Sequence, residues 1–341
     1  MATRQPNRAG DKPPRVLIVI GGDQIYRTSA PGRGKIIGIS DVDGLLPENV
    51  SSKRLNLSMD LDAMLMMLKQ QSSGGDLSAF DCVLNLVSEP DRSPRTLEAL
   101  GLLLRGYRGR VINRPEAVLG TTREQVASVL RGITGLLVPG VVRFHGGDTD
   151  AALEAVTGAG LNFPLIIRHP ATHRGKTMVL VEDEGQFRAA VTDEREYFAI
   201  EFVDYRVDGG LFYKYRMWSF GGRQVFRHLA ITSYWNVHIA EGDAFMADRP
   251  DLVAEEVRLM ERAEGAFPDQ VHAIVAAIGE RLALDSFGVD FGIHADGRMV
   301  LFEANAAMTF FPLVTNSGHD HRGKLLAPAQ AAFAAMLGLQ D

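Results

Sequence analysis

Residues 288–307, GVDFGIHADGRMVLFEANAA, restrict the folds open to this 341-residue chain more than any other segment. Two apolar runs flank Asp296-Gly297, a dipeptide that favours a two-residue type I′ turn between antiparallel strands. This turn predicts a β-hairpin in which Asp290 lies directly opposite Glu303. Because side chains alternate across a strand, Asn305 points to the same face as both carboxylates.

The face that carries these three polar residues needs a positively charged partner. Two carboxylates directly across a strand pair repel each other, since their Cβ atoms lie about 5 Å apart. Carboxylate and amide oxygens suit Mg²⁺, so we predict a magnesium site at Asp290, Glu303 and Asn305, with Gly288 and Gly292 leaving space beside it. A solvated outer face is the alternative. The opposite face is predicted to be apolar, with the pairs Val289–Ala304, Phe291–Phe302 and Ile293–Val300.

Composition and charge exclude several classes of partner. The chain is 46% hydrophobic and 23% charged, as in an ordinary globular protein, and it is long enough for two or three lobes. Its net charge of −6 gives no overall attraction to nucleic acid or to anionic membranes. No apolar run approaches the ~18 residues of a membrane span. We therefore expect a cytoplasmic protein that binds neither nucleic acid nor membrane.

Several other reactive or basic residues have plain structural interpretations. Cys82, the single cysteine, lies in an apolar run and is predicted to be a buried thiol and not a nucleophile. The HDH sequence at His319–His321 could bind a metal, but a solvated loop is favoured because no second cluster lies nearby in sequence. Arg27, Arg33 and Lys35 follow the first strand in a glycine-rich loop. They either hold a carboxylate or phosphate or belong to a plain flexible loop.

The order of strand and helix patterns predicts several lobes. Short apolar runs alternate with helical patterns in the N-terminal part, which indicates an open α/β domain. The next region opens with a helix, which Thr121 and Glu124 are expected to begin as a capping box. Gly221-Gly222 predicts a hairpin farther on. The predicted segments are a flexible tail at 1–14, an α/β domain at 15–118, a small lobe at 119–200 and a C-terminal lobe at 201–341.

The two usual phosphate-binding motifs are absent from the sequence. THRGKT contains Gly-Lys-Thr, but Pro170 stands where a Walker A motif needs glycine, and GGDQIY does not complete GxGxxG. A basic loop between two strands can still cover phosphates through backbone N–H groups and point charges. His173, Arg174, Gly175 and Lys176 are placed for that role. An exposed turn is the alternative for these four residues taken alone.

The order of these motifs resembles the ATP-grasp superfamily over about residues 15–340. The resemblance is strongest in FPLIIRHPATHRGKTM, EFVDYR and the hairpin segment, where Asp290 with Glu303-x-Asn305 is the best match. YKYRMWSFGGRQVFRHLAITSYWNVH is similar to ATP-grasp modules associated with tetratricopeptide-repeat proteins, and D-alanine–D-alanine ligase and glutathione synthetase are more distant in architecture. The resemblance implies an α/β fold with ATP-grasp α+β lobes behind an N-terminal open α/β substrate domain.

The resemblance also implies how ATP and its metal would be bound. Asp290, Glu303 and Asn305 would hold Mg²⁺, with Mn²⁺ as an alternative. The small lobe would cover the triphosphate with a flap loop containing His173, Gly175 and Lys176. Two basic residues would contact the nucleotide, Arg123 and Arg168. A hinge would read the adenine edge at Glu201, Phe202 and Val203, and the ribose would meet Asp204.

Four further residues are candidates for the chemical step. Lys214 and Arg216 alternate in YKYRM and therefore share one face of a strand. They could stabilise an acyl phosphate or bind a substrate carboxylate, and a solvated strand face is the alternative. Arg227 and His228 are similar candidates.

These expectations favour an ATP-dependent carboxylate–amine ligase that forms an amide or peptide bond through an acyl phosphate. Its partners would be a small-molecule carboxylate and an amine, such as an amino acid or a peptide, and a homodimer is left open. The chain departs from the family pattern in three ways: Arg168 replaces lysine, the flap holds one glycine, and no Pro-Gly follows Asn305. The alternatives are a non-ligating nucleotide-binding module and an ATP-dependent small-molecule kinase.

Overall fold

A computed structural model of the chain describes residues 13–23, 39–58, 60–170, 178–207, 209–262, 265–308, 310–311 and 319–338. The strands are β1 (Arg15–Ile20), β2 (Ser51–Asn56), β3 (Cys82–Asn85), β4 (Arg110–Ile112), β5 (Leu136–Leu137), β6 (Val141–His145), β7 (Leu165–Arg168), β8 (Val179–Val181), β9 (Glu196–Glu201), β10 (Phe212–Phe220), β11 (Arg223–Thr232), β12 (Ser286–Ile293) and β13 (Met299–Asn305).

Helices pack on the sheets that these strands form. They are α1 (Ile39–Leu45), α2 (Leu61–Gln70), α3 (Pro94–Leu103), α4 (Pro115–Leu119), α5 (Arg123–Leu130), α6 (Thr149–Gly158), α7 (Glu184–Ala190), α8 (Ile239–Ala247), α9 (Pro250–Glu261), α10 (Asp269–Leu282) and α11 (Leu326–Leu337). A 3-10 helix spans Asp320–Leu325. None of the helices in the described ranges has the length and apolar content needed to cross a membrane.

The first sheet is parallel, with the strand order β2-β1-β3-β4. Alternate residues of β1 enter two apolar clusters: Val19 packs in one with Leu97 of α3, and Ile18 packs in the other with Phe333 of α11. Burial on both faces explains the continuous apolar run of this strand. The predicted open α/β arrangement is confirmed. The polar edge strand β2 was not predicted, because an exposed edge needs no apolar pattern.

The strands β6 to β9 form an antiparallel sheet with the order β6-β9-β7-β8. Phe144 of β6, Leu153 of α6 and Phe187 of α7 contribute to one apolar cluster. The predicted pair of strands β7 and β8 is present. The loop between them, with His173, Gly175 and Lys176, lies outside the described residues.

Two further N-terminal predictions also lie outside the described residues. The loop that carries Arg27, Arg33 and Lys35 is one of them. The other is the tail at residues 1–14, of which only the last two residues are described.

The largest sheet has the order β11-β10-β12-β13-β5. Its last strand, β5, pairs parallel with β13, and α5 packs against α10. The segment with α5 and β5, which follows residue 119, therefore packs with the large sheet and its helix α10. The sheet of β6 to β9 begins only after this segment. The apolar stripe predicted for α10 is confirmed, since all five of its residues are buried: Val271, Ile274, Val275, Ile278 and Leu282.

Helix α5 does not have the predicted capping box. The helix begins at Arg123, and its N-cap is Thr122, which makes no side-chain capping hydrogen bond. The Thr121 hydroxyl donates instead to the Val118 carbonyl at 2.6 Å, which completes the end of the preceding short helix. Glu124 accepts a hydrogen bond from Arg143 at 2.9 Å. The capping-box prediction is wrong because both of its side chains have partners outside the helix.

Candidate functional site

The turn of the predicted hairpin is longer than two residues. The main-chain N–H of His294 donates to the Arg298 carbonyl at 2.9 Å, so residues 295–297 form the loop. Within residues 294–298, only Gly297 has a positive φ, of 85°. A type I′ turn needs a positive φ at both central residues, so that prediction is wrong. A three-residue loop that ends in a left-handed glycine is the form observed.

A β-bulge restores the predicted pairing away from this loop. Phe291 pairs with Leu301, one residue from the prediction, and the register then shifts so that Asp290 lies opposite Glu303. The extra residue is Phe302, which packs in a different apolar cluster from Phe291. The structure therefore contradicts the pairs Phe291–Phe302 and Ile293–Val300, and it confirms Val289–Ala304 and Asp290–Glu303.

The two glycines of the hairpin do not leave space for a ligand. A Cβ atom on Gly288 would lie 2.6 Å from the Met308 sulfur. A Cβ on Gly292 would lie 2.6 Å from a ring carbon of Tyr205. Neighbouring side chains fill both positions, so the glycines permit close packing beneath the site and that part of the prediction is wrong.

Four side chains form a row across four neighbouring strands, which we name the charged row. His228 of β11 pairs with Arg216 of β10, Arg216 pairs with Asp290 of β12, and Asp290 pairs with Glu303 of β13. Register partners on adjacent strands point to the same face of a sheet. Two predicted metal ligands, Asp290 and Glu303, are therefore neighbours in one row with Arg216 and His228, two of the predicted catalytic residues.

Asp290 is the most deeply buried member of the row. Its side chain is 1% exposed, and Arg216 contacts both of its oxygens, with Nε at 2.5 Å and Nη2 at 2.8 Å. The Lys214 ammonium lies 2.8 Å from Oδ2. Burial would raise the pKa of Asp290, but the two cations outweigh it and hold this pKa well below its usual range. The carboxylate is therefore ionised and doubly paired.

Glu303 is the more open member of the row, with 39% of its side chain exposed. Asn305 Nδ2 donates to its Oε1 at 2.8 Å, and Arg123 Nη2 lies 3.7 Å from the same oxygen. Arg123 is held in place because its Nη1 donates to the Phe302 carbonyl at 2.9 Å. Burial opposes ionisation of Glu303, but Arg123 and Arg168 keep its pKa below the usual value.

Positive charge is in excess around this pair of carboxylates. Among the described residues, Arg123, Arg168, Lys214 and Arg216 carry four positive charges against the two of Asp290 and Glu303. Burial and the nearby Arg123 lower the pKa of Arg168 to about 10, so it stays charged at neutral pH. Such a cluster favours a polyanion, and arginine and lysine are the usual protein groups that bind phosphate.

The other predicted catalytic residues, Arg227 and His228, are consecutive residues of β11. Arg227 occupies the position where the register of β10 and β11 shifts, and its Nε donates to the Phe310 carbonyl at 2.6 Å. Burial and the nearby Arg322 and Arg216 lower its pKa to about 9. His228 is buried beside Arg216, and burial holds its pKa well below the usual value. A neutral imidazole therefore adjoins the charged members of the row.

The predicted hinge follows the end of β9. Glu201 Oε2 accepts a hydrogen bond from the Gly140 N–H at 2.9 Å. The main-chain N–H of Phe202 donates to the Pro164 carbonyl at 3.2 Å, and Val203 packs in the cluster below the large sheet. Residues 201–203 therefore contact both the sheet of β6 to β9 and the apolar cluster of the large sheet.

Asp204 already has a partner within the chain. Arg206 donates to both oxygens of its carboxylate, and these hydrogen bonds lower the pKa of Asp204. The ion pair is solvent-exposed, with 43% and 56% of the two side chains accessible. A ribose hydroxyl would therefore compete with Arg206 for this carboxylate.

His238 beside the row was not predicted. It is the N-cap of α8 and follows Val237, whose carbonyl accepts a hydrogen bond from Lys214 at 3.3 Å. Burial and Lys214 lower its pKa, so the imidazole is neutral. Its Nε2 is buried and has no hydrogen-bond partner among the described residues. No spacing rule marks an isolated histidine, so only the fold brings it to the site.

The HDH sequence is not the solvated loop that was predicted. His319 is completely buried, and both histidines contact Glu256 of α9. The prediction is wrong because Glu256 lies far away in sequence and the fold supplies it. Cys82, in contrast, is buried as predicted, and burial raises its thiol pKa to about 12.

No protein-family model matches the chain, and no curated protein matches it by sequence. Solved structures match over nearly its full length. The D-Ala:D-Ser ligase VanG from Enterococcus faecalis gives a TM-score of 0.56 at 12% identity and covers 96% of this chain and 99% of its own. The ATP-grasp ligase PsnB, in complex with a phosphomimetic variant of its minimal precursor, Mg and ADP, gives 0.52 at 14% identity over 96% and 100%.

The D-alanine-D-alanine ligase from Coxiella burnetii gives a TM-score of 0.51 at 12% identity over 96% and 98% of the two chains. The chain has the ATP-grasp fold. This confirms the predicted fold class. The hairpin predicted from the sequence lies in the largest sheet, which carries the charged row. Association with tetratricopeptide-repeat proteins stays a prediction.

Proposed function

We propose that this ATP-grasp protein is an ATP-dependent ligase that joins a carboxylate to an amine. The observation that carries the proposal is the excess of cations around Asp290 and Glu303, which suits a polyphosphate. Solved proteins of the same fold support it, since they include a D-Ala:D-Ser ligase and a ligase in complex with a phosphomimetic variant of its minimal precursor, Mg and ADP.

The chemistry has two balanced steps. A carboxylate oxygen of the first substrate attacks the γ-phosphorus of ATP, and the bond to the β-phosphate oxygen breaks to release ADP. The amine nitrogen of the second substrate then attacks the acyl carbon, loses a proton, and displaces phosphate. Lys214 and Arg216 would neutralise charge that develops on the transferred phosphoryl group. Arg227 and His228 would position Arg216, because both are buried on β11, the strand that pairs with it.

Glu303 and Asn305 offer the oxygen donors that Mg²⁺ prefers, and Mn²⁺ would fit the same set. The two side chains are adjacent and joined by a hydrogen bond. Asp290 would join the coordination when Lys214 turns away, since its oxygens are engaged by two cations. A bound Mg²⁺ would supply charge neutralisation on the nucleotide phosphates.

We assign the remaining predicted residues to nucleotide binding. Arg123 of α5 and Arg168 of β7 would both contact phosphates of the nucleotide. Main-chain groups of Glu201, Phe202 and Val203 would face the adenine, and Asp204 the ribose. The loop with His173, Gly175 and Lys176 would cover the triphosphate, and the domain at 15–118 would bind the acid substrate.

The test is release of ADP and phosphate from Mg-ATP, measured over paired libraries of carboxylates and amines. We expect release that requires both substrates and that Glu303→Gln abolishes. Release with a single acceptor and a stable phosphorylated product would indicate a kinase instead. ATP binding without release in any mixture would indicate a non-ligating module, and absence of ATP binding would refute the proposal.

A further inference from the structure

A second cluster of ionisable side chains lies apart from the charged row. It joins Glu256 of α9 to His319 and His321, at the start of the 3-10 helix near the C-terminus. Glu256 and His319 are completely buried, and the His321 side chain is 12% exposed. These three residues supply one carboxylate and two imidazoles, which are the ligand types of zinc and related metals.

The three candidate ligand atoms lie close together. Glu256 Oε2 lies 3.1 Å from His319 Nδ1 and 2.8 Å from His321 Nε2, and all three atoms lie within 4.8 Å of one another. Ligands at about 2.0–2.1 Å from a tetrahedral zinc ion are separated by about 3.3 Å. We infer that Glu256, His319 and His321 form a binding site for a divalent transition metal of the zinc class.

Further charged side chains surround these ligands. The other ring nitrogen of His319, Nε2, is buried without a hydrogen-bond partner among the described residues, and it lies 3.5 Å from the Asp243 carboxylate. In metal-bound histidines the second nitrogen characteristically faces such a carboxylate. Arg322 contacts both oxygens of Asp243, at 3.1 and 2.8 Å, and its Nε lies 2.9 Å from Glu256 Oε1. The two carboxylates are therefore held by one guanidinium.

Hydrogen bonds alone do not satisfy this arrangement well. Glu256 Oε2 also lies 3.1 Å from Arg322 Nη2, so three nitrogens approach one carboxylate oxygen, which has two lone pairs. With neutral imidazoles, the carboxylates of Asp243 and Glu256 are balanced by the guanidiniums of Arg322 and of Arg227, which acts electrostatically on both carboxylates. A metal ion between Oε2 and the imidazoles relieves the crowding of donors at this oxygen. A proton on one imidazole is the rival that the experiment must separate.

The experiment measures metal content and metal-dependent stability of the full chain. Protein stripped with a chelator is incubated with Zn²⁺, desalted and analysed by mass spectrometry for bound metal, with Co²⁺ absorption reporting the coordination geometry. We expect about one equivalent of Zn²⁺ in the wild type and a rise in Tm of about 4 °C or more. His321→Ala is expected to lose both effects.

A matched control is His272→Ala on α10, whose imidazole bonds to Gln224 away from the cluster. It is expected to keep the zinc and the Tm rise. Wild-type protein that binds no zinc and shows no Tm rise overturns the metal site in favour of the protonated network. Equal zinc in His321→Ala and the wild type also overturns it. Because the wild-type measurement needs no variant, a variant that fails to fold does not obscure the result.

Discussion

The charged row and the Glu256 cluster use buried carboxylates in different electrostatic settings. Asp290 and Glu256 are both buried, and adjacent donors hold the pKa of each below its usual range against the effect of burial. Around Asp290 and Glu303, cations outnumber carboxylates. Around Glu256, the guanidiniums of Arg322 and Arg227 balance the carboxylates of Asp243 and Glu256, and two imidazoles adjoin Glu256. The first setting suits an anionic ligand, whereas the second offers imidazole and carboxylate ligands to a metal ion.

The two regions also differ in how they meet solvent. The side chain of Glu303, in the charged row, is 39% exposed to solvent, whereas that of Arg322, at the centre of the Glu256 cluster, is 1% exposed. A ligand that is turned over needs access, and a structural ion does not. This difference in access fits the proposed catalytic role of the row, and it fits a structural role for the Glu256 cluster, which attaches the 3-10 helix near the C-terminus to α9.

The largest expected effect is a loss of stability when the Glu256 cluster is disrupted. Arg322→Met leaves Asp243 and Glu256 buried without their shared cation, and removal of one partner from a buried ion pair costs about 3–5 kcal/mol of unfolding free energy. Urea unfolding followed by circular dichroism measures this loss. Arg298→Met is the control, because its pair with Asp296 is exposed and solvent screening leaves such a pair with little effect on stability. Equal losses in both variants would contradict a buried, interdependent cluster.

The next effect separates activity from stability within the row. Glu303→Gln removes charge from the open carboxylate, and we expect ADP release to fall by about 100-fold or more with little change in Tm. Asp290→Asn is expected to lower activity and Tm together, because Lys214 and Arg216 lose their buried partner. Steady-state kinetics and thermal unfolding of both variants test this. An unchanged Tm in Asp290→Asn would show that the buried pairing contributes nothing to stability.

The third effect is a pH dependence that arises from Asp290. Its folded pKa is depressed, so its contribution to stability is present above the unfolded value of about 3.9 and is lost as pH falls toward the folded pKa. Wild-type unfolding free energy should therefore decrease below about pH 5, measured with urea in the presence of chelator. Asp290→Asn should flatten this slope by up to about 1.4 kcal/mol per pH unit. An identical slope in the variant would contradict the assignment.

The smallest expected effect is weaker binding of ATP when one of the four cations around Asp290 and Glu303 is removed. Arg168→Met removes one positive charge, and we expect the KM for ATP to rise by about tenfold, as for loss of one charge-assisted contact. Arg168→Lys keeps the charge without the planar fork and should raise KM less. ATP titration of the ligase reaction measures both values. If Arg168→Met binds ATP as the wild type does, this residue lies outside the phosphate site.

The pairing of Asp290 with Glu303 shows what a local pattern can and cannot predict. The loop is one residue longer than Asp296-Gly297 suggested, and the bulge at Phe302 adds one residue to the facing strand. The two departures cancel, so the carboxylates face each other as predicted while the apolar pairs nearer the turn do not. A bulge is set by packing on the two faces of the sheet, which strand alternation does not encode.

Residues distant in sequence explain the parts of the site that could not be predicted. His319 and His321 meet Glu256 across 63 and 65 residues, and no spacing rule relates them. His238 reaches the charged row only because α8 begins beside Lys214. Candidates that alternate within one strand, such as Lys214 and Arg216, could be predicted, because their spacing alone places them on one face.

Local sequence patterns predicted strands β10 to β13 of the largest sheet and the carboxylates that face each other on its hairpin. Periodicity and turn residues act over a few positions, so a single sequence is enough to recognise them. Which charges surround each carboxylate depends on the tertiary structure. Arg123 comes from α5, and Asp243 and Glu256 come from separate helices. Electrostatic balance is a property of neighbours in space, and the fold alone makes these residues neighbours.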